Sequence, residues 1–179
     1  MRRQLQATDR NNRVSVYTEF VRNTPERLAE LKRLLILDSS AENAYDDIAR
    51  LLSTSLEVPI SIVNMLDEDR DWFKSCVGLP LTESAAETSF CEAFFNTVEN
   101  LIVVEDATEN PLFAAHPLVT GEPFIRFYAA ARLSIRGHTV GTLCAYDLKP
   151  HKISVEQIQQ LQALALAVME LLDKRTSAP

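Results

Sequence analysis

Glycine is scarce, with four residues in a chain of 179. A glycine-rich phosphate cradle, which brings successive backbone N–H groups up to an anion, cannot be built from so few. Cysteine is limited to Cys76, Cys91 and Cys144, far apart and without a C-x-x-C pattern. An odd, scattered set does not suggest a disulfide framework, and no Cys/His pair has zinc-ligand spacing, so no metal is expected. No apolar run is long enough to cross a bilayer and no secretory pattern opens the chain. A cytoplasmic home without membrane contact is therefore expected. A cationic surplus is missing too. The net charge of −7 argues against a nucleic-acid surface, and the local exception, Arg2, Arg3, Arg10 and Arg13, reads as part of a solvated arm.

What is present suits one globular domain: 46% of residues are hydrophobic and 24% charged. Residues 1–23 are polar and weakly periodic, with at most a short helix at Val14–Arg22, and are expected to form a flexible arm because so little apolar surface cannot offset ordering entropy. The domain is placed at 24–175 and a short tail at 176–179. Thr24-Pro25 opens a helix, with threonine as cap and proline at the first helical position. Leu28, Leu31 and Leu35 recur at helical spacing to a stop near Leu37. Ala44–Glu57 is a second helix with Ile48, Leu51, Leu52 and Leu56 inward. Pro59–Leu66 and Trp72–Val77 read as strands around a charged turn, Gly78–Thr88 as irregular loop. Thr88 or Ser89 opens a short helix through Phe95, Leu101–Glu105 is a strand, and Asp106–Glu122 is loop with short helical turns.

Phe124–Lys149 is expected to be the middle of the sheet: two charge-poor strands joined by a turn centred on Gly137-His138. That turn sets Ile135 against Val140, Leu133 against Thr142, Ala131 against Cys144 and Ala129 against Tyr146, with Tyr128, Ala130, Leu143 and Ala145 on the opposite face. A hairpin apolar on both faces must be covered on both. Ser154 and Gln157 have capping-box spacing for a last helix to about Lys174. It carries Ile158, Leu161, Ala165, Val168 and Leu172, with Leu164 and Leu171 on an adjacent stripe. One stripe could cover the sheet and the other a partner helix, or both could face one core. Helices at the ends and an antiparallel sheet between them make an α+β layout.

These segments carry a run of short words: Arg27-Leu28, Leu37-Asp38, Asp46-Asp47-Ile48-Ala49, Val58-Pro59-Ile60, Asp71-Trp72-Phe73-Lys74-Ser75 with Gly78-Leu79, and Glu87-Thr88-Ser89-Phe90-Cys91. Val103-Val104-Glu105-Asp106-Ala107, Asn110-Pro111-Leu112-Phe113, Pro117-Leu118-Val119, Arg126-Phe127-Tyr128-Ala129 and Gly141-Thr142-Leu143-Cys144 to Asp147 follow. In this order and spacing the sequence resembles a GAF domain, closest to those attached to bacterial histidine kinases and diguanylate cyclases. The resemblance covers about Pro25 to Arg175. It implies a GAF-like (PAS/GAF superfold) central antiparallel sheet of about five to six strands. The terminal helices should lie on one face, and a short helix and loops should close a ligand pocket on the other. Ala130 and Arg132 depart from the subgroup's usual glycine and proline. Arg132 reads as a solvated edge residue or an anion-binding group.

The resemblance places Ser89, Cys91, Phe94, Asp106, Phe113, Phe127, Tyr128, Cys144 and Tyr146 as candidate ligand-binding positions, both strand faces being represented. The same residues have structural readings: Ser89 as helix cap, Asp106 as turn cap, and the phenylalanines as core. The cofactor is unknown. Bilin is not expected, because Cys91 is followed by Glu92 rather than histidine. Haem is not expected, because its one candidate, His116, sits in an Ala-His-Pro stretch that suits a surface loop. The function implied is a non-catalytic small-molecule-sensing or dimerising module of bacterial signalling. Its partners would be a small ligand, a second copy docked through the terminal helices, and a separate output protein. The alternative is an enzyme of the free methionine sulfoxide reductase type, for which Cys91 and Cys144 would have to meet.

Overall fold

The computed structural model describes residues 21–177, so nearly all of the expected arm and the last residues of the tail lie outside the described residues. Helix α1 spans Pro25–Arg33, with proline in its first turn and Thr24 in extended backbone before it, although the Thr24 side chain makes no capping bond. It ends earlier than Leu37 because Leu35 sits at φ 49°, a left-handed conformation that stops a helix. The kink leaves Leu35 76% exposed and buries Leu34 and Ile36 in its place. Helix α2 spans Asn43–Leu56 and is closed by Glu57 at φ 56°. Tyr45, Ile48, Ala49, Leu52 and Leu56 are buried on it, whereas Leu51, expected inward, faces out.

Six strands follow: β1 Ile60–Leu66, β2 Arg70–Val77, β3 Glu83–Ala85, β4 Leu101–Val104, β5 Phe127–Ile135 and β6 His138–Asp147. They form one sheet in the order β3-β2-β1-β6-β5-β4, every pair antiparallel. The short β3, which pairs with Arg70–Trp72, occupies part of the stretch read as irregular loop. A 3₁₀ helix, Phe90–Asn96, lies between β3 and β4, and a one-turn helix α3, Pro117–Thr120, between β4 and β5. The fold is thus α+β, as the pattern of elements implied.

The central hairpin corrects the expected register. Its turn is Arg136-Gly137, both at positive φ (49° and 81°), the conformation a two-residue turn needs to follow the strand twist. Ile135 therefore pairs with His138, and a bulge between Leu133 and Ser134 shifts the remainder, so that Ala131 meets Leu143, Ala130 meets Cys144 and Tyr128 meets Tyr146. One step of register exchanges faces. Phe127, Ala129, Ala131, Leu143 and Ala145 lie in the core under the helices, while Tyr128, Ala130, Cys144 and Tyr146 look the other way. In β1, Val63 and Met65 face the helices, and Ile60, Ile62 and Leu66 lie opposite.

Helix α4, Val155–Ser177, opens on the expected capping box: Ser154 N donates to Gln157 Oε1 at 2.8 Å and Gln157 N to Ser154 Oγ at 3.2 Å. Leu161, Leu164, Ala165, Val168 and Leu172 are all buried in the domain's own core, so both stripes pack on one sheet. Arg175 does more than neutralise a helix end: it donates to Leu34 O (3.1 Å), Leu35 O (2.8 Å) and Glu42 Oε1 (2.5 Å), tying α4 to the end of α1 and the start of α2. Arg27 is fully buried. It donates to the carbonyls of Arg22, Leu66 (2.7 Å) and Thr139 (3.1 Å), and stacks 5.3 Å over the Phe95 ring. Burial and the neighbouring Arg22 lower its pKa to about 10.

Leu143 is buried where β6 meets the helical layer. Leu143→Ala should lower the free energy of unfolding by roughly 2–5 kcal/mol, as truncations in packed cores do. A loss under about 0.5 kcal/mol in chemical denaturation, the size of a surface change, would contradict this placement.

Candidate functional site

The sheet face opposite the long helices is roofed by the 3₁₀ helix and the 106–126 loop. Beneath that roof lies a second apolar cluster with Phe90, Phe94, Phe113, Tyr128 and Cys144 in it. Phe90 and Phe113 stack at 4.8 Å with ring planes 7° apart, and Tyr128 and Tyr146 meet at 5.1 Å, as direct cross-strand pairing predicts. His116 is not a solvent-facing loop residue. Its ring packs 4.3 Å from Phe90, its Nδ1 accepts from Leu118 N to cap α3, and burial lowers its pKa.

A polar chain runs through this apolar surround. Cys91 Sγ is 3.0 Å from Thr142 Oγ1 and 3.3 Å from Tyr128 OH, with Tyr146 OH at 4.0 Å and Asn64 Nδ2 at 3.6 Å. Ser89 Oγ accepts from Cys91 N at 3.1 Å, so the residue caps its helix, and it also donates to Asp71 Oδ2. Asn64 Nδ2 donates to the same Asp71 oxygen at 2.9 Å, and its buried Oδ1 has no hydrogen-bond partner among the described residues. Gly141 lets β6 lie close against β1 at this point, since a Cβ there would stand 2.2 Å from the Asn64 backbone carbonyl oxygen. Cys144 joins from β6, its Sγ donating to Ile62 O at 3.6 Å. Burial alone pushes the Cys91 thiol up. Hydrogen bonds from Cys144, Thr142 and Tyr128 outweigh that and hold it below the ordinary thiol range, while burial drives Cys144 well above it.

Of the expected site residues, the structure brings together Ser89, Cys91, Phe94, Phe113, Tyr128, Cys144 and Tyr146. Phe127 is on the other face, in the helix-side core. Asp106 stands at the rim, accepting from Thr108 N (3.0 Å) and from Arg126 Nε (2.9 Å) and Nη2 (2.6 Å). Arg132 is neither a solvated edge residue nor free for an anion: it is buried, with its guanidinium on Thr97 O, Glu99 O and Thr139 Oγ1 and 5.1 Å over the Phe94 ring. Asn64, Asp71 and Thr142 were not anticipated. For Asn64 and Thr142 a signal was available, since each is a polar side chain in a strand with apolar or small neighbours, whereas Asp71 follows Asp69-Arg70 and reads as part of the charged turn. Two open grooves lie elsewhere: one of about 490 Å³ beside Lys74 and Cys76, one of about 550 Å³ beside Arg22 and Glu92, and neither is lined by Cys91, Cys144 or Tyr128.

Residues 40–172 match the sequence profile of the GAF domain. The chain belongs to the GAF family. A cyclic di-GMP phosphodiesterase of Pseudomonas aeruginosa is 32% identical over 145 residues, covering 80% of this GAF chain and 24% of that protein, so the chain spans about a quarter of this relative's length. Among solved structures, the GAF domain of an Acinetobacter phosphoenolpyruvate-protein phosphotransferase has a TM-score of 0.63 at 17% identity, covering 87% of this chain and 98% of that one. A free methionine-R-sulfoxide reductase from Neisseria meningitidis, solved with its substrate, has a TM-score of 0.56 at 17% identity, covering 97% of this chain and 94% of that one. At such identities the structures share the GAF fold and nothing finer.

The Asp106–Arg126 pair gives a pH-dependent prediction. Arg126, with Thr108 also donating, holds the Asp106 carboxyl well below the usual carboxylate range. A depressed folded-state pKa contributes stability that is complete above the ordinary aspartate value near ~4 and is lost as pH falls through the folded value. Arg126→Gln should therefore lower the urea midpoint at neutral pH, and its difference from the parent should close as pH is taken down from about 4. A difference constant with pH would exclude the ion pair as its source.

Proposed function

We propose that the chain is a non-catalytic regulatory GAF module that senses a small molecule on the sheet face carrying Cys91 and signals to an output partner. The observation behind this reading is the enclosed set of amide, hydroxyl and thiol groups under an aromatic roof. Once the roof lifts, these buried groups can read the shape and hydrogen bonding of a small ligand, and Asn64 Oδ1 is an acceptor without a donor among the described residues. The relation to a cyclic di-GMP phosphodiesterase supports a place in cyclic di-GMP signalling. Native mass spectrometry of protein purified from its source cells should show a bound small molecule that is released on denaturation. Apo protein whose melting temperature no fraction of the cell's small molecules raises would overturn the reading.

Assembly as a homodimer through the terminal helices belongs to the same proposal, on the outward side of α4, where Leu166 is exposed. Leu166→Glu should then shift the protein to monomer in sedimentation at about tens of micromolar, where weak dimers still form. A parent protein that is already monomeric there would remove the dimer.

One observation favours a second reading, a thiol reductase. Cys91 and Cys144 lie in the same buried cluster, with Thr142 Oγ1 3.0 Å from the Cys91 sulfur, and the pKa of the Cys91 thiol is lowered where that of Cys144 is raised by burial. Two thiols reducing a sulfoxide would become a disulfide, the sulfoxide oxygen leaving as water. Reduced protein incubated with free methionine sulfoxide should then lose two titratable thiols and release methionine, and Cys91→Ser should do neither. An unchanged thiol count in the parent would end this reading.

A further inference from the structure

The polar chain does not stop at Asp71. Arg22, three residues before α1, is buried although it belongs to the segment assigned by sequence to a flexible arm. Its Nη2 donates to Asp71 Oδ1 at 2.6 Å and to Arg70 O at 2.8 Å, its Nε to Asp67 O at 2.8 Å, and its Nη1 to Glu92 Oε2 at 3.0 Å. Asp71 passes the contact on through Ser89 and Asn64 to Cys91. Glu92 sits on the 3₁₀ helix beside Cys91, and Phe95 of that helix lies under Arg27, which in turn donates to the Arg22 carbonyl. The short helix is therefore gripped at Glu92 by Arg22, at Phe95 by Arg27 and, through Asp71, at its cap Ser89. A 3₁₀ helix of seven residues is itself longer than this weakly bonded geometry usually sustains, so its position depends on such grips.

The geometry points to a latch: Arg22 couples the packing of the Cys91 site to the attachment of the segment entering α1, so that anything opening the site by moving the 3₁₀ helix loosens that segment. The sensing role of the latch rests on the proposed ligand site. The coupling itself is measured without any ligand, so failure of one is distinguishable from failure of the other.

Linkage makes the coupling reciprocal, which gives two measurements. In the first, Arg22→Gln is treated with iodoacetamide and the labelled cysteines are mapped by mass spectrometry. Cys91 should alkylate about tenfold faster than in the parent, a size typical of linked sites, while half-buried Cys76, in the groove beside Lys74, keeps its rate. Arg22→Lys retains the charge but not the branched set of donors; it should lie between the two and serves as the test if the glutamine variant does not fold. In the second, protein alkylated at Cys91 is exposed to trypsin, which can cut after Arg22 only when that side chain leaves Asp71. Cleavage there should accelerate relative to cleavage after Arg132, which lies in the middle of β5 and reports global unfolding. Cys91 labelling within about twofold of the parent, well under the usual span of linked sites, or an unchanged Arg22/Arg132 cleavage ratio, overturns the latch.

Discussion

Val168→Glu is expected to yield no stably folded domain at neutral pH. Read from sequence, the stripe that carries Val168 could face a partner helix, where a charge would split a dimer and leave the sheet intact. In the structure Val168 is fully buried against the domain's own core, with Leu161, Ala165 and Leu172 around it. A carboxylate there would be buried among apolar side chains of the described residues, and an unpaired buried charge costs several kcal/mol, comparable to the total stability of a domain of this size. Circular dichroism and denaturant titration check it. A cooperative unfolding transition within about 1 kcal/mol of the parent, the centre of ordinary point mutations, would move Val168 to an interface and restore the stripe to a partner.

Asp71→Ala is the second large effect expected. The Arg22 and Asp71 side chains are 7% and 5% exposed, and the carboxylate also receives Ser89 and Asn64. Removing it takes the acceptor from the Ser89 hydroxyl and the Asn64 amide and the buried carboxylate from Arg22, which keeps Glu92 and the carbonyls of Asp67 and Arg70. Breaking one side of a buried pair costs roughly 3–5 kcal/mol. Asp71→Asn keeps the volume and one carbonyl, so it should cost less than alanine but still more than about 1 kcal/mol, the value of an ordinary hydrogen bond. Loss of under about 0.5 kcal/mol for the alanine variant, a surface-like result, would show that Asp71 is solvated rather than central to the network.

The long helices and every strand but β3 were legible in order because each follows from local pattern: a capping box at Ser154, an apolar run over Ile60–Leu66, a charged turn after it whose last two residues, Arg70 and Asp71, already belong to β2. What the pattern did not carry was pairing. The turn could be centred on Gly137-His138 or Arg136-Gly137, and only the second places an arginine at positive φ, a cost that local propensity disfavours and the tertiary fold imposes. That one step decided which of Phe127 and Tyr128 belongs to the candidate site. The site itself was half legible. Its aromatic and cysteine members stood out in the words that resemble the family, whereas Asn64, Asp71 and Thr142 are polar residues inside strands. Their importance depends on burial and on partners up to tens of residues away, such as Arg22 for Asp71. Arg132 was misjudged for the same reason. Isolated in sequence, a strand arginine reads as solvated, but the carbonyls of Thr97 and Glu99 come to it from the loop before β4.

The two-residue turn at Arg136-Gly137 also bears on how this chain can drift over generations. Loss or gain of a single residue between the bulge and the turn can be absorbed where it occurs, because the bulge already exchanges one step of register at Leu133/Ser134. The same event between the bulge and Phe127 has no such buffer: it would turn Tyr128 and Ala130 into the helical core and present Phe127 and Ala129 to the Cys91 side. Length variation among descendants of this sequence should therefore collect at the hairpin tip and in the 106–126 roof, while the spacing from Phe127 to Leu133 and from Gly141 to Asp147 is inherited unchanged.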